Sequence, residues 1–149
     1  MHNNSSSVDI TSIKHSVLKI VILTVITFFF YPPVWILKVR PTVNRLNSNR
    51  KISATIPVVF LVIATIYLIA AFFEGGIEGI SPGSVYVSYL STFSSYLFYL
   101  LIIGNIAILL LCFKIRRILL DHYGPNLNIS ALATFFLEIF YLQHKINKL

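Results

Sequence analysis

The stretch Ile52–Phe73, ISATIPVVFLVIATIYLIAAFF, decides the class of this protein, because it carries no charged residue. As a helix it is about 33 Å long at ~1.5 Å per residue, and a bilayer core is about 30 Å thick. It reads as a transmembrane helix. Three further apolar runs flank it. Ile20–Leu37, between Lys19 and Lys38, is just long enough to span. Val85–Phe113 is longer than a span needs, so it tilts or begins among the headgroups with its tyrosines. Leu127–Gln143 is short and contains Glu138. It reads as a fourth span, with a re-entrant or interfacial helix as the alternative.

Composition points the same way. Of 149 residues, 56% are hydrophobic and 11% charged, where a soluble domain carries about 25% charged residues. Such hydrophobicity excludes a disordered chain, and one cysteine excludes a disulfide scaffold. The expected fold is all-α: a polytopic four-helix transmembrane bundle over residues 14–149, after a disordered tail over residues 1–13. The N-terminus lacks the basic start and cleavage site of a signal peptide.

Charge sets the expected orientation. Lys38, Arg40, Arg45, Arg50 and Lys51 form one basic segment, and Lys114, Arg116 and Arg117 another. Glu74 and Glu78 lie between the second and third runs, with no cation there. Basic segments face the cytoplasm, so the acidic loop faces outward. Four spans then place both termini outside, and Lys14, Lys19, Lys145 and Lys148 with them. The eight cations of the basic segments are candidate contacts for anionic headgroups. Nucleic acid is not the expected partner, because the charges flank spans.

Local signals refine the elements. Pro32 and Pro33 should kink the first span and form a candidate hinge, with Tyr31 and Trp35 as interfacial anchors. Pro41 should end that helix, and Val43 and Leu46 then suggest a short helix lying on the membrane surface. Gly124-Pro125 should stop the third span, and Ser130 should cap the last helix. An offset of 76 places Lys38, Val39 and Arg40 on Lys114, Ile115 and Arg116; an offset of 77 places Ile52-Ser53-Ala54 on Ile129-Ser130-Ala131. Two tandem helix-pair repeats, each a helix, a basic elbow and a helix, would produce this match.

Tyr31-Pro32-x-x-Trp35, Asn44-Arg45-Leu46-Asn47, Ile52-Ser53 and Tyr141-Leu142-Gln143-His144-Lys145-Ile146-Asn147 together carry a resemblance. The set resembles a bacterial family of small integral membrane domains of unknown function. The resemblance implies a multi-pass protein of the bacterial cytoplasmic (inner) membrane, and implies no chemistry. The doubled proline departs from the single one usual in that family.

No phosphate loop, dinucleotide fingerprint or zinc-ligand cluster is present, so no catalytic residue, cofactor or metal is expected. Asp121-His122 is the one acid–His neighbour pair, and neighbours on a helix point about 100° apart. It reads as a solvated elbow. Asn105 and Glu138 are the polar outliers within apolar runs and form the candidate intramembrane polar site. It would act as an interhelical clamp, a proton or ion site, or a contact to a partner subunit. Gly104 would let a helix approach closely. Tyr86, Tyr89, Phe93 and Tyr96 recur at three- and four-residue spacing as an aromatic stripe. The expected function is a non-catalytic membrane protein, an accessory or assembly subunit of a larger complex or a homo-oligomer. The alternative is a small transporter or channel built on Asn105 and Glu138.

Overall fold

A computed structural model describes residues 10–27, 30–80, 85–124 and 127–149, with the side chains of Glu78 and Ile80 outside that description. Residues 1–9 of the tail and Pro125 also lie outside it. The described residues form a 3-10 turn, Thr11–Ile13, and five helices, with no strand among them: α1 Val17–Ile26, α2 Tyr31–Val43, α3 Thr55–Ile80, α4 Val85–Tyr123 and α5 Ala131–Ile146. Two of these, α3 and α4, are long and apolar enough to cross a membrane. Only 22% of the most apolar window of α3 and 28% of that of α4 is buried. A core helix of a soluble protein would be mostly buried, so these helices present apolar surface outward.

The chain forms two compact units, residues 1–54 with 109–149, and residues 55–108. All twelve Lys and Arg fall in the first, and none in the second. In the basic unit, Trp35, Ile36, Val39, Val43, Cys112, Ile115, Ile139 and Leu142 are fully buried and form the core. In the second unit, α3 and the first part of α4 pack through Phe60, Ala64, Ala70, Leu97 and Leu101.

The first apolar run is not one kinked span. Its helix ends at Ile26, and α2 starts at Tyr31 with the prolines in its first turn. Proline suits that position because the first N–H groups of a helix have no partner to lose. The break therefore falls before Pro32 and Pro33, which open a helix and do not bend one. Pro41 lies inside α2, which continues to Val43. Val43 and Leu46 are buried, so no surface helix forms there. The tail's last residues are folded, with Ile13 buried in the 3-10 turn.

Two hydrogen bonds show that the chain doubles back after α1. Trp35 Nε1 donates to Gln143 Oε1 at 2.7 Å, and Gln143 Nε2 donates to the Ile13 carbonyl at 2.9 Å. One side-chain amide thus holds Ile13 and Trp35 together. In a continuous helix those residues would lie about 33 Å apart. The pair α1–α2 is a hairpin whose first arm is about 15 Å long.

The last helix doubles back as well. Glu138 has φ 38° and ψ −118°, which separates α5 into two helical arms. The Tyr141 hydroxyl accepts the Ser130 N–H at 2.9 Å. In a straight helix those residues would be about 16 Å apart along the axis, beyond the reach of a tyrosine. Ser130 caps the first arm, its side chain accepting from Ala133 N–H, and Gly124 ends α4 at φ 81°. The last helix is therefore not straight, and it is not among the helices long and apolar enough to cross a membrane.

Candidate functional site

The polar centre of the basic unit is the clasp around Gln143, which is completely buried. Besides Ile13, Gln143 Nε2 donates to Asn147 Oδ1 at 2.8 Å, and Asn147 Nδ2 donates to the His15 carbonyl at 2.7 Å. Both N–H groups of Gln143 and its oxygen are used, as burial demands. No buried side-chain N or O atom among the described residues lacks a partner. The clasp ties together the 3-10 turn, α2 and the second arm of α5.

The two basic elbows share a hydrogen bond. Arg40 Nε donates to the Ile52 carbonyl at 2.8 Å, and Arg116 Nε donates to the Ile129 carbonyl at 2.9 Å. In the first elbow, the Asn44 side chain also meets both backbone groups of Ile52. The elbow docks on the end of α4. Asp121 Oδ2 accepts from Ser48 Oγ and from Arg50, each at 2.7 Å. Asn47 N–H donates to His122 Nδ1 at 3.1 Å. The hydroxyl of Ser48 and the guanidinium of Arg50 hold the Asp121 carboxyl below the usual carboxylate range.

The candidate headgroup contacts thus separate by role. Arg40 and Arg116 brace the elbows, Arg50 pairs with Asp121, and Lys51 Nζ donates to the Asn44 and Leu46 carbonyls. Lys38 lies 5.9 Å from the centre of the Tyr31 ring. Lys114 is partly exposed, while Arg45 and Arg117 are exposed and free to turn toward an anionic surface. Arginine's planar fork suits such bracing.

Asn105 lies on an exposed face of α4, and its amide donates to the Leu101 carbonyl of its own helix at 2.8 Å. Glu138 occupies the turn of α5, half-buried. Gly104 is a close-packing point: a Cβ there would lie 2.5 Å from the Phe60 ring.

One polar notch had no sequence reading. Ser94 Oγ, on α4, donates to Glu74 Oε2, on α3, at 2.7 Å. Around this pair lies a cavity of about 400 Å³ lined by Tyr67, Glu74, Ser91, Ser94, Ser95, Phe98 and Tyr99. The only signal in the sequence is a glutamate at the end of one apolar run and serines at the start of the next. Nothing local pairs them across 20 residues.

No family model, curated protein or solved structure matches the chain.

Proposed function

We propose that this chain is a non-catalytic integral membrane protein that assembles with itself or with a larger membrane partner. Asn105 carries the reading. It lies nine residues from Lys114, about 13 Å from that basic edge and near the middle of a ~30 Å core. A side-chain amide has two N–H groups and an oxygen, and one bond to Leu101 leaves capacity on an exposed face. Lipid cannot satisfy that capacity, whereas a neighbouring helix can. The stripe Tyr86, Tyr89, Phe93 and Tyr96 is exposed on the same helix, and Leu100, Ile103 and Leu110 extend its spacing. Such spacing suits a helix packed alongside.

In this reading α3 and α4 span, and the hairpins α1–α2 and α5 dip partway into the cytoplasmic leaflet. Their outer arms expose Val25, Ile26, Leu132, Phe135, Phe136 and Leu137, as lipid-facing arms would. The charge pattern supports it. Four straight spans would leave four of the twelve cations outside, whereas two spans and two hairpins place all twelve on the cytoplasmic side. The shared arginine–isoleucine bond of the elbows supports two related helix pairs.

The test combines size and sidedness. Wild type in mild detergent should run as a defined oligomer or with a fixed partner, and Asn105→Leu should shift it toward monomer. In a Cys112→Ser background, impermeant thiol reagent should label Gly76→Cys in intact cells and spare Asn47→Cys and Lys148→Cys. A partner-free monomer for wild type sinks the assembly reading. Labelling of Lys148→Cys sinks the two-span topology.

A second reading, a small transporter or channel, draws on Glu138. Discontinuous helices form substrate and ion sites in many transporters, and Glu138 stands at the break in α5. It requires Glu138→Gln to abolish flux in proteoliposomes while the oligomer survives.

A further inference from the structure

We propose that the notch between α3 and α4 binds a small organic ammonium group. The unit that holds it, residues 55–108, contains no Lys, Arg or His, so Glu74 has no basic side chain to pair with inside it. Among the described residues, its side chain accepts a hydrogen bond from Ser94. A carboxylate accepts about four hydrogen bonds, and serine hydroxyls keep acceptor capacity when they donate. Glu74, Ser91, Ser94 and Ser95 therefore offer an acceptor-rich floor. The other lining is aromatic: Tyr67 and Phe98 have ring centres 6.3 Å apart, as do Phe98 and Tyr99.

Acceptors on one side and ring faces on the other suit an alkylammonium ion, whose charge meets the carboxylate and whose carbon-bound hydrogens meet the rings. A hard divalent cation fits less well. It takes six or more oxygens, usually with several carboxylates, and among the described residues one carboxylate, Glu74, lines this cavity. The volume, about 400 Å³, suits a small amine or a headgroup.

The position specifies the setting, resting on the reading that α3 and α4 span. Glu74 is 19 residues beyond Thr55, about 28 Å along α3. Ser94 is 20 residues before Lys114, about 30 Å along α4. Both helices place the pair one core thickness from the basic edge, at the opposite headgroup layer. Aminophospholipid headgroups and free amines both meet the notch there.

The full chain, stripped of lipid in mild detergent, is titrated with short-chain phosphatidylethanolamine, with phosphatidylglycerol and with ethanolamine, and bound species are counted by native mass spectrometry. Wild type should bind phosphatidylethanolamine, and Glu74→Gln should weaken that binding about tenfold or more, the loss of one charge-assisted contact. Phosphatidylglycerol, which reports the basic elbows, should be unaffected. Phe98→Leu should weaken the same amine-selective binding, and circular dichroism checks that both variants keep their helices. Ethanolamine that competes identifies a free amine as the ligand, whereas binding of the lipid alone identifies the headgroup. Equal phosphatidylethanolamine binding by wild type and Glu74→Gln, or binding of neither phosphatidylethanolamine nor ethanolamine by wild type, overturns the proposal. The oligomer measured for Asn105→Leu does not depend on this outcome.

Discussion

In the basic unit, the amide of Gln143 meets Trp35, Ile13 and Asn147 and is sealed from solvent. In the α3–α4 unit, the amide of Asn105 meets its own helix and faces outward. The same functional group is thus a finished internal joint in one unit and an open contact in the other. The contrast extends to apolar residues. Trp35, Ile36 and Val39 are fully buried, while Phe72, Tyr86 and Tyr89 are more than two-thirds exposed. One unit holds its fold with side chains from distant parts of the chain. The other holds two helices together through a few buried side chains and leaves most of their apolar surface exposed.

The largest effect that could break this contrast is at Trp35. Its ring fills the core and its N–H caps Gln143. Trp35→Ala should cost about 3–5 kcal/mol from the cavity alone. Trp35→Phe keeps most of the ring and strands the Gln143 oxygen, for about 1–3 kcal/mol. Hydrogen exchange in detergent reads where the loss falls. Protection should drop across residues 10–54 and 109–149 and persist across 55–108. A uniform drop along the chain would show that the units do not fold separately.

A smaller effect tests the other unit. At Gly104 a Cβ would press on the buried Phe60 ring, so Gly104→Ala should cost about 1–3 kcal/mol by overpacking. Exchange should rise within residues 55–108, and the second change Phe60→Val should recover much of the loss. Phe60→Val that worsens Gly104→Ala would remove this contact as the seam of the unit.

Much of this contrast could be read from residue order. Two charge-free runs of sufficient length lie within α3 and α4, and the cations outside those runs mark the basic unit. Gly104 announced a close approach, and Ser130 and Gly124 announced helix ends, because caps act within a few residues. What was illegible depends on long-range closure. An apolar run of 18 residues looks the same whether it crosses as one helix or divides, as here, into α1 and α2. Phe135–Leu142 looks like a helix interior, and only the Ser130–Tyr141 bond shows that the chain reverses at Glu138. The tie between Trp35 and Gln143 spans 108 positions. Arginines that flank apolar runs read as lipid contacts, yet Arg40 and Arg116 satisfy backbone carbonyls at the elbows.

The smallest effect sharpens the contrast at its polar edge. Asp121 joins the first elbow to the end of α4 through Ser48 and Arg50, and the ion pair is open to solvent. Its carboxyl titrates below the usual value in the folded chain because those hydrogen bonds favour the charged form. A group with a lowered folded value stabilises fully above its unfolded value, near pH 4, and loses that contribution as pH falls through the folded one. Wild type should therefore show an added decline in stability below about pH 5 as this contribution is lost. Asp121→Asn should remove that part of the decline and change little at pH 7, since exposed ion pairs are weak and screened by salt. The change should appear in exchange at residues 44–50 and 117–123, with residues 55–108 as the internal control. Identical acid profiles for wild type and Asp121→Asn would show that the elbow is held by the Arg40, Asn44 and Arg116 bonds alone.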